Sequence, residues 1–196
     1  YIGKLSEDVS RNRALGVNNR IVAGVLLHTT RADTESCGTS RFAHLGPTCS
    51  SVSRNDVKPY GVDPRFLRTS ERLFNEALLP KAAGNVSSFT NSCAPPGCGT
   101  FYRDDELNSR GTPYGFFHEP LDGYADGFTV FVDVNKNEEQ AKNMLVYMKD
   151  GFFLDETTRD LTVSTVTYNS GLGLFSFFSV LFEFNAGGSI GITSQI

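Results

Sequence analysis

Residues 159–184 read RDLTVSTVTYN-SG-LGLFSFFSVLFEF, and they decide the fold class. Two strand-like runs, 159–169 and 172–184, flank Ser170-Gly171; both are rich in the β-branched and aromatic residues that suit a pleated surface. In the second run Phe175, Phe177, Phe178, Leu181, Phe182 and Phe184 populate both faces. A strand that is apolar on both faces needs cover on both. One side is assigned to the helix described next. The other is expected to be covered from within the chain by its loop region, with another subunit as the alternative.

Upstream, 127–134 (GFTVFVDV) alternates as a strand and leads into the best helix of the chain, 137–150. Asn135 or Asn137 can cap it, Glu138 and Glu139 suit its first turn, and Ala141, Met144, Leu145 and Met148 make one apolar face. Lys149 lies in the last turn, and Gly151 is placed to stop it. Near the start, 20–30 (RIVAGVLLHTT) is a further strand. Residues 32–113 are irregular and hold all four cysteines and seven of the eight prolines. One short helix, 70–79 with Ser70 as cap, is expected inside them.

Composition narrows the function. With 196 residues the chain is long enough to bury a core. A formal charge of −4, with no run of Lys and Arg, excludes nucleic acid as the main partner and a basic anchor for anionic lipid. No apolar stretch of ~20 residues crosses a bilayer. The chain runs from Tyr1 to Ile196 with no signal-peptide pattern, and it is expected to be a piece of something longer.

Cys37, Cys49, Cys93 and Cys98 allow three disulfide pairings, which spacing leaves open; Cys37–Cys49 with Cys93–Cys98 is the most local. Cys93-Ala-Pro-Pro-Gly-Cys98 is already a turn, so closing that ring costs little. A zinc site lacks the paired C-x2-C or H-x3-5-H spacing it needs. The sequon Asn85-Val86-Ser87 adds a glycosylation candidate at Asn85 and, with the even cysteine count, favours an oxidising, extracellular side.

No catalytic, metal or cofactor set emerges. Gly187-Gly188-Ser189-Ile190-Gly191 spells a nucleophile elbow, but no helix, acid or histidine follows, so it reads as a Gly/Ser-rich exit loop. Asp133-Val134-Asn135-Lys136-Asn137 opens like a calcium loop, yet Glu138 and Met144 stand where Gly and Glu are required. The acidic run 104–106 reads as a solvated turn.

One constellation is recognisable. Leu154-Asp155-Glu156-Thr157-Thr158-Arg159, then Tyr168-Asn169, Leu174-Phe175 and Glu183-Phe184, resembles the end of the polycystin extracellular domain. Leu15-Gly16-Val17, Arg20-Ile21 and Lys58-Pro59-Tyr60-Gly61 are similar to its earlier parts. The likeness is strongest over 127–184, looser over 14–61 and weak over 62–113.

This resemblance implies an α+β fold: an antiparallel sheet of about five strands with helices packed on one face, plus a long disulfide-bearing loop lobe, the three-leaf clover. It implies one domain over 1–196, with the lobe at 33–113, an insertion at 63–98 and the sheet and helix scaffold at 114–184. Cys37–Cys49 would pin the lobe, and 185–196 would lead back to the membrane.

The implied function is the lid of a calcium-permeable cation channel of the transient-receptor-potential superfamily, often ciliary. The implied partners are other channel subunits, as a homotetramer or with a polycystin-1-like subunit. The implied place is the outer side of the cell membrane. A different class of reading, an adhesion or anchoring module for a matrix or cell-surface partner, would use the 63–98 insertion as its contact surface.

Overall fold

The computed structural model describes residues 14–15, 18–36, 48–54, 57–78, 104–185 and 188–196. Among the described residues seven strands form: β1 (Ala14–Leu15), β2 (Asn19–Ser36), β3 (Thr48–Arg54), β4 (Phe128–Asp133), β5 (Thr158–Asn169), β6 (Leu174–Phe184) and β7 (Ile190–Gln195). One α-helix is present among the described residues, α1 (Glu138–Asp150), where helices in the plural were expected. The chain divides into two compact units. Residues 57–118 and 142–156 form the second, and the sheet and the first turn of α1 belong to the first.

The first unit is an open antiparallel sheet in the order β4–β2–β5–β6–β7, with β1 and β3 pairing the two ends of β2. Its spine is β2, which pairs β4 through Gly24–Thr29 and β5 through Asn19–Arg31. Such a strand has both edges satisfied, and its middle is the most buried part of the unit: His28, Thr29 and Thr30, with Phe128 opposite Thr29.

The register of β2 on β5 slips between Ile21 and Val25, a bulge centred on Gly24. Its carbonyl is not wasted, because Thr165 Oγ1 donates to it at 2.8 Å. Only glycine fits: a Cβ there would stand 2.3 Å from the Val132 carbonyl oxygen.

The two runs that open the sequence pair without a slip over ten positions, from Asp160↔Glu183 to Asn169↔Leu174. The exit segment expected over 185–196 instead carries a strand. β7 folds back on β6 from Phe184↔Ile190 to Ser179↔Gln195, because Ile190, Ile192 and Ser194 alternate with Gly191, Thr193 and Gln195 in a strand's period of two.

The helix begins where expected, and Asn137 is its cap. Asn137 Oδ1 accepts from Gln140 N at 2.7 Å, and Gln140 Oε1 accepts from Asn137 N at 3.1 Å, a reciprocal capping box. Two expectations fail. Leu145 is exposed, because it falls with Lys142 and Lys149 on an i, i+3, i+7 stripe that faces outward, whereas Met148 is buried. The left-handed residue that ends the helix is Phe152 (φ 63), not Gly151. Phe153 N bonds the Met148 carbonyl and Phe152 N the Lys149 carbonyl, a Schellman closure with a phenylalanine where glycine is usual. Gly151 is needed for another reason: a Cβ there would meet the Tyr147 and Val62 carbonyl oxygens at 2.7 and 2.8 Å.

The second unit has little regular structure yet a definite core of Tyr60, Phe66, Phe116, Met148 and Phe153. Tyr60 exchanges a bridge with Phe116, and its hydroxyl donates to the Phe153 carbonyl at 2.8 Å. The Phe116 ring lies 4.9 Å from Phe153 and meets Tyr147 edge-on at 5.9 Å. Gly61 (φ 68) lets the chain turn against the Gly151 carbonyl, 2.5 Å from where its Cβ would be, which gives the Pro-aromatic-Gly step its physical meaning.

The helix expected over 70–79 is not formed over its described part, 70–78. That part holds a hydrogen-bonded turn on Ser70 and a 3-10 turn, Glu76–Leu78, which is exposed throughout and so lacks a face to bury. The stretch expected as an insertion begins among the most buried residues of this unit, Asp63, Pro64, Phe66 and Ser70.

Two substitutions test these readings in thermal melts of the chain. Gly24→Ala forces β4 away from β2 and is expected to cost about 2–3 kcal/mol, a clear drop in Tm. Phe152→Gly releases the left-handed strain at a residue that is 54% exposed, and it is expected to raise stability by roughly 0.5–1 kcal/mol.

Candidate functional site

Among the described residues no group of three His, Cys, Asp or Glu side chains is placed to hold a metal ion. Ser189 sits in the hairpin between β6 and β7, where its carbonyl accepts from Asn185 N at 3.0 Å and its hydroxyl from Asn185 Nδ2 at 3.3 Å. A nucleophile elbow requires a strand-to-helix turn at that position. Asp133 spends a carboxylate oxygen on the Asn135 amide at 2.6 Å, closing the turn that feeds the helix cap. The functional candidates are therefore surfaces and clefts.

A cleft of about 330 Å³ opens beside that turn. Ile21, Val25, Val132 and Ala141 give it an apolar floor, and Asp133 and Lys136 stand among its polar lining. Gly24, at the slip in β2, is one of its lining residues.

The ten motif residues fall into three places. Leu154 and Asp155 follow the helix in the second unit, both exposed. Thr158, Arg159, Glu183 and Phe184 gather at one end of the β5–β6 ladder. Thr158 there is buried, and Asp160 and Glu183 stand directly opposite each other. Nearby, Arg31 is buried and donates to the Thr157 hydroxyl, while Thr30 Oγ1 donates to Asp160 at 2.8 Å. These bonds tie the start of β5 to the middle strand.

Tyr168, Asn169, Leu174 and Phe175 lie at the other end of the ladder and form the tip of the hairpin. The Tyr168 and Phe175 rings are 4.9 Å apart. Asn169 organises the turn: its Oδ1 accepts from Gly171 N at 2.9 Å and Leu172 N at 3.0 Å, its carbonyl from Gly173 N at 2.8 Å, and its Nδ2 donates to Asn19 Oδ1 at 2.8 Å. Gly173 (φ 66) supplies the left-handed step that a four-residue hairpin loop needs. The cover expected over both faces of this strand is not seen at the tip, where Leu172, Leu174, Phe175 and Phe177 are exposed.

Over the middle of the same face, residues 119–127 form a strap that sequence reasoning missed. Its Tyr124 bonds Ser164 at 2.7 Å and lies 5.2 Å from the His28 ring. Nothing in the sequence of 121–127, LDGYADG, tied it to this face.

Cys37, Cys93, Cys98 and Asn85 lie outside the described residues, so the disulfide and glycosylation expectations do too; the backbone of Cys49 belongs to β3, opposite Glu35.

With this geometry in hand, comparison with known families is decisive. The model of the polycystin domain matches residues 94–196, just over half of the chain. The chain belongs to the polycystin family. That family comprises membrane ion channels and is not one of enzymes. The matched span contains β4, α1, β5, β6 and β7, and with them the residues quoted above between Leu154 and Phe184. A search of curated proteins finds no match.

Asn169→Ala is expected to leave two turn amides without their acceptor and to loosen the polycystin hairpin. Stability should fall by about 1–2 kcal/mol, with faster amide exchange at Gly171 and Leu172.

Proposed function

We propose that this chain is the extracellular lid of a polycystin-type, calcium-permeable, non-selective cation channel, where it mediates subunit assembly and contributes to gating. The family match over 94–196 carries the reading, and the clustering of the motif residues on the β5–β6 ladder supports it. The parent chain sits in the cell membrane, ciliary or flagellar, with this domain outside and other channel subunits as its partners.

The β2–β3 register supports a loop pinned by Cys37–Cys49. Cys49 is opposite Glu35, two positions before Cys37 in the chain, so β2 and β3 run antiparallel to the threshold of the loop. A lid of this kind acts by geometry. Contacts between subunits bias open against closed, and a coupling of ~1–3 kcal/mol is typical of such linkage.

The test uses the full-length parent channel with Cys37→Ser and Cys49→Ser, alone and together. Expected are a loss of cross-linked oligomer at the cell surface and a shifted or reduced current, with the double variant no worse than either single one. Assembly and current that match the unaltered channel in all three would overturn the lid role of the lobe.

A further inference from the structure

Among the described residues of the first unit, the hairpin tip presents exposed aliphatic and aromatic side chains in three directions at once. Leu172 stands at the apex and is 73% exposed. Leu174, 59% exposed, points to one face of the sheet; Phe175 and Phe177, 68% and 47% exposed, point to the other. The run from Leu161 to Phe182 contains no Asp, Glu, Lys, Arg or His.

We propose that this tip is a lipid-insertion wedge that dips into the outer layer of a bilayer. A protein docked on the sheet would cover one face and leave the other wet. Immersion in an apolar phase covers both faces and the apex together.

The area points the same way. An aromatic side chain buries about 150–250 Å² when fully covered, and these four are already partly covered. Together they fall well short of the roughly 800 Å² per partner in a standard protein interface, whereas a peripheral wedge needs only a few such groups.

The depth is also right. At about 3.4 Å per residue Phe177 lies roughly 10 Å along the strand from Leu174, its first residue, which is the ~5–10 Å scale of interfacial insertion. Arg20, exposed and opposite Tyr168 on β2, stands level with Phe175, and its long side chain reaches from there toward the headgroups.

The turn can enter because it carries its own acceptors. The amides of Gly171, Leu172 and Gly173 are all bonded to Asn169, so apolar surroundings leave none of the three orphaned. The inference stands on exposure, charge and hydrogen bonding, and it holds or fails independently of the lid role.

The chain has no tryptophan, so Leu172→Trp places a sole reporter at the apex. With vesicles of zwitterionic phosphatidylcholine, its emission is expected to shift to the blue and to be quenched by lipids brominated on the acyl chain. Val57→Trp, exposed in the second unit, should do neither. In flotation, the unaltered chain is expected to rise with the vesicles equally well at low and high salt. Leu172→Ser, Phe175→Ser and Phe177→Ser should each lower the partition about tenfold, with circular dichroism unchanged.

No blue shift, flotation that ignores the three serines, or binding that requires anionic lipid and vanishes in salt would overturn the proposal. So would a concentration-dependent dimer in solution that the serine variants abolish, since the tip would then be a contact between copies.

Discussion

The structure of the first unit depends on one constraint: β2 must be hydrogen-bonded along both edges while carrying a two-residue slip against β5. The middle of the strand, His28 to Thr30, is buried with polar side chains, and the ladder to β5 fixes the partner of Thr30. Thr30 reaches Asp160, Thr165 reaches the carbonyl freed at Gly24, and Arg31 reaches Thr157. Each of these bonds joins β2 to β5 or to the residue preceding it. The polar interior of the sheet is thus a register lock: a slip by one position would turn these groups to the wrong face and strand them.

The second unit solves a different problem. Its segments 57–62, 113–116 and 151–153 lie outside helix and ladder, so their polar backbone groups satisfy one another across close approaches. Val62 N meets the Gly151 carbonyl, Asp63 N the Pro113 carbonyl, and both Gly115 N and Phe116 N the Tyr60 carbonyl. Approaches this near require glycine at 61, 115 and 151, and the aromatic cluster of Tyr60, Phe116 and Phe153 fills the space between. Outside the end of α1, the second unit therefore holds core residues in segments that have little regular secondary structure.

That contrast explains what could be read in advance. Alternation and helical spacing mark β4, β5, β6 and α1 to within two residues, since burial of one face writes a period into the sequence. Asn137 was legible as a cap because its chemistry is local. Leu145 was misjudged because hydrophobicity alone does not say which stripe finds a partner, and Phe152 because a left-handed aromatic is set by tertiary closure and not by propensity. β7 hid behind its glycines, although Ile190 and Ile192 carried the signal. The motif of Tyr168, Asn169, Leu174 and Phe175 was visible as a string, but only pairing at Asn169↔Leu174 shows that its members meet at one tip.

The return of β7 along β6 has a mechanical consequence. β2 starts beside Asn169 and β7 ends beside Ser179, both directed at the same end of the sheet as the hairpin tip. Tension drawn along β7 toward that end runs parallel to the strands and perpendicular to their hydrogen bonds. The six pairings from Ser179 to Phe184 then share the load in shear and must give way together, so the edge of the sheet is stiff in that direction and yields more easily when peeled sideways.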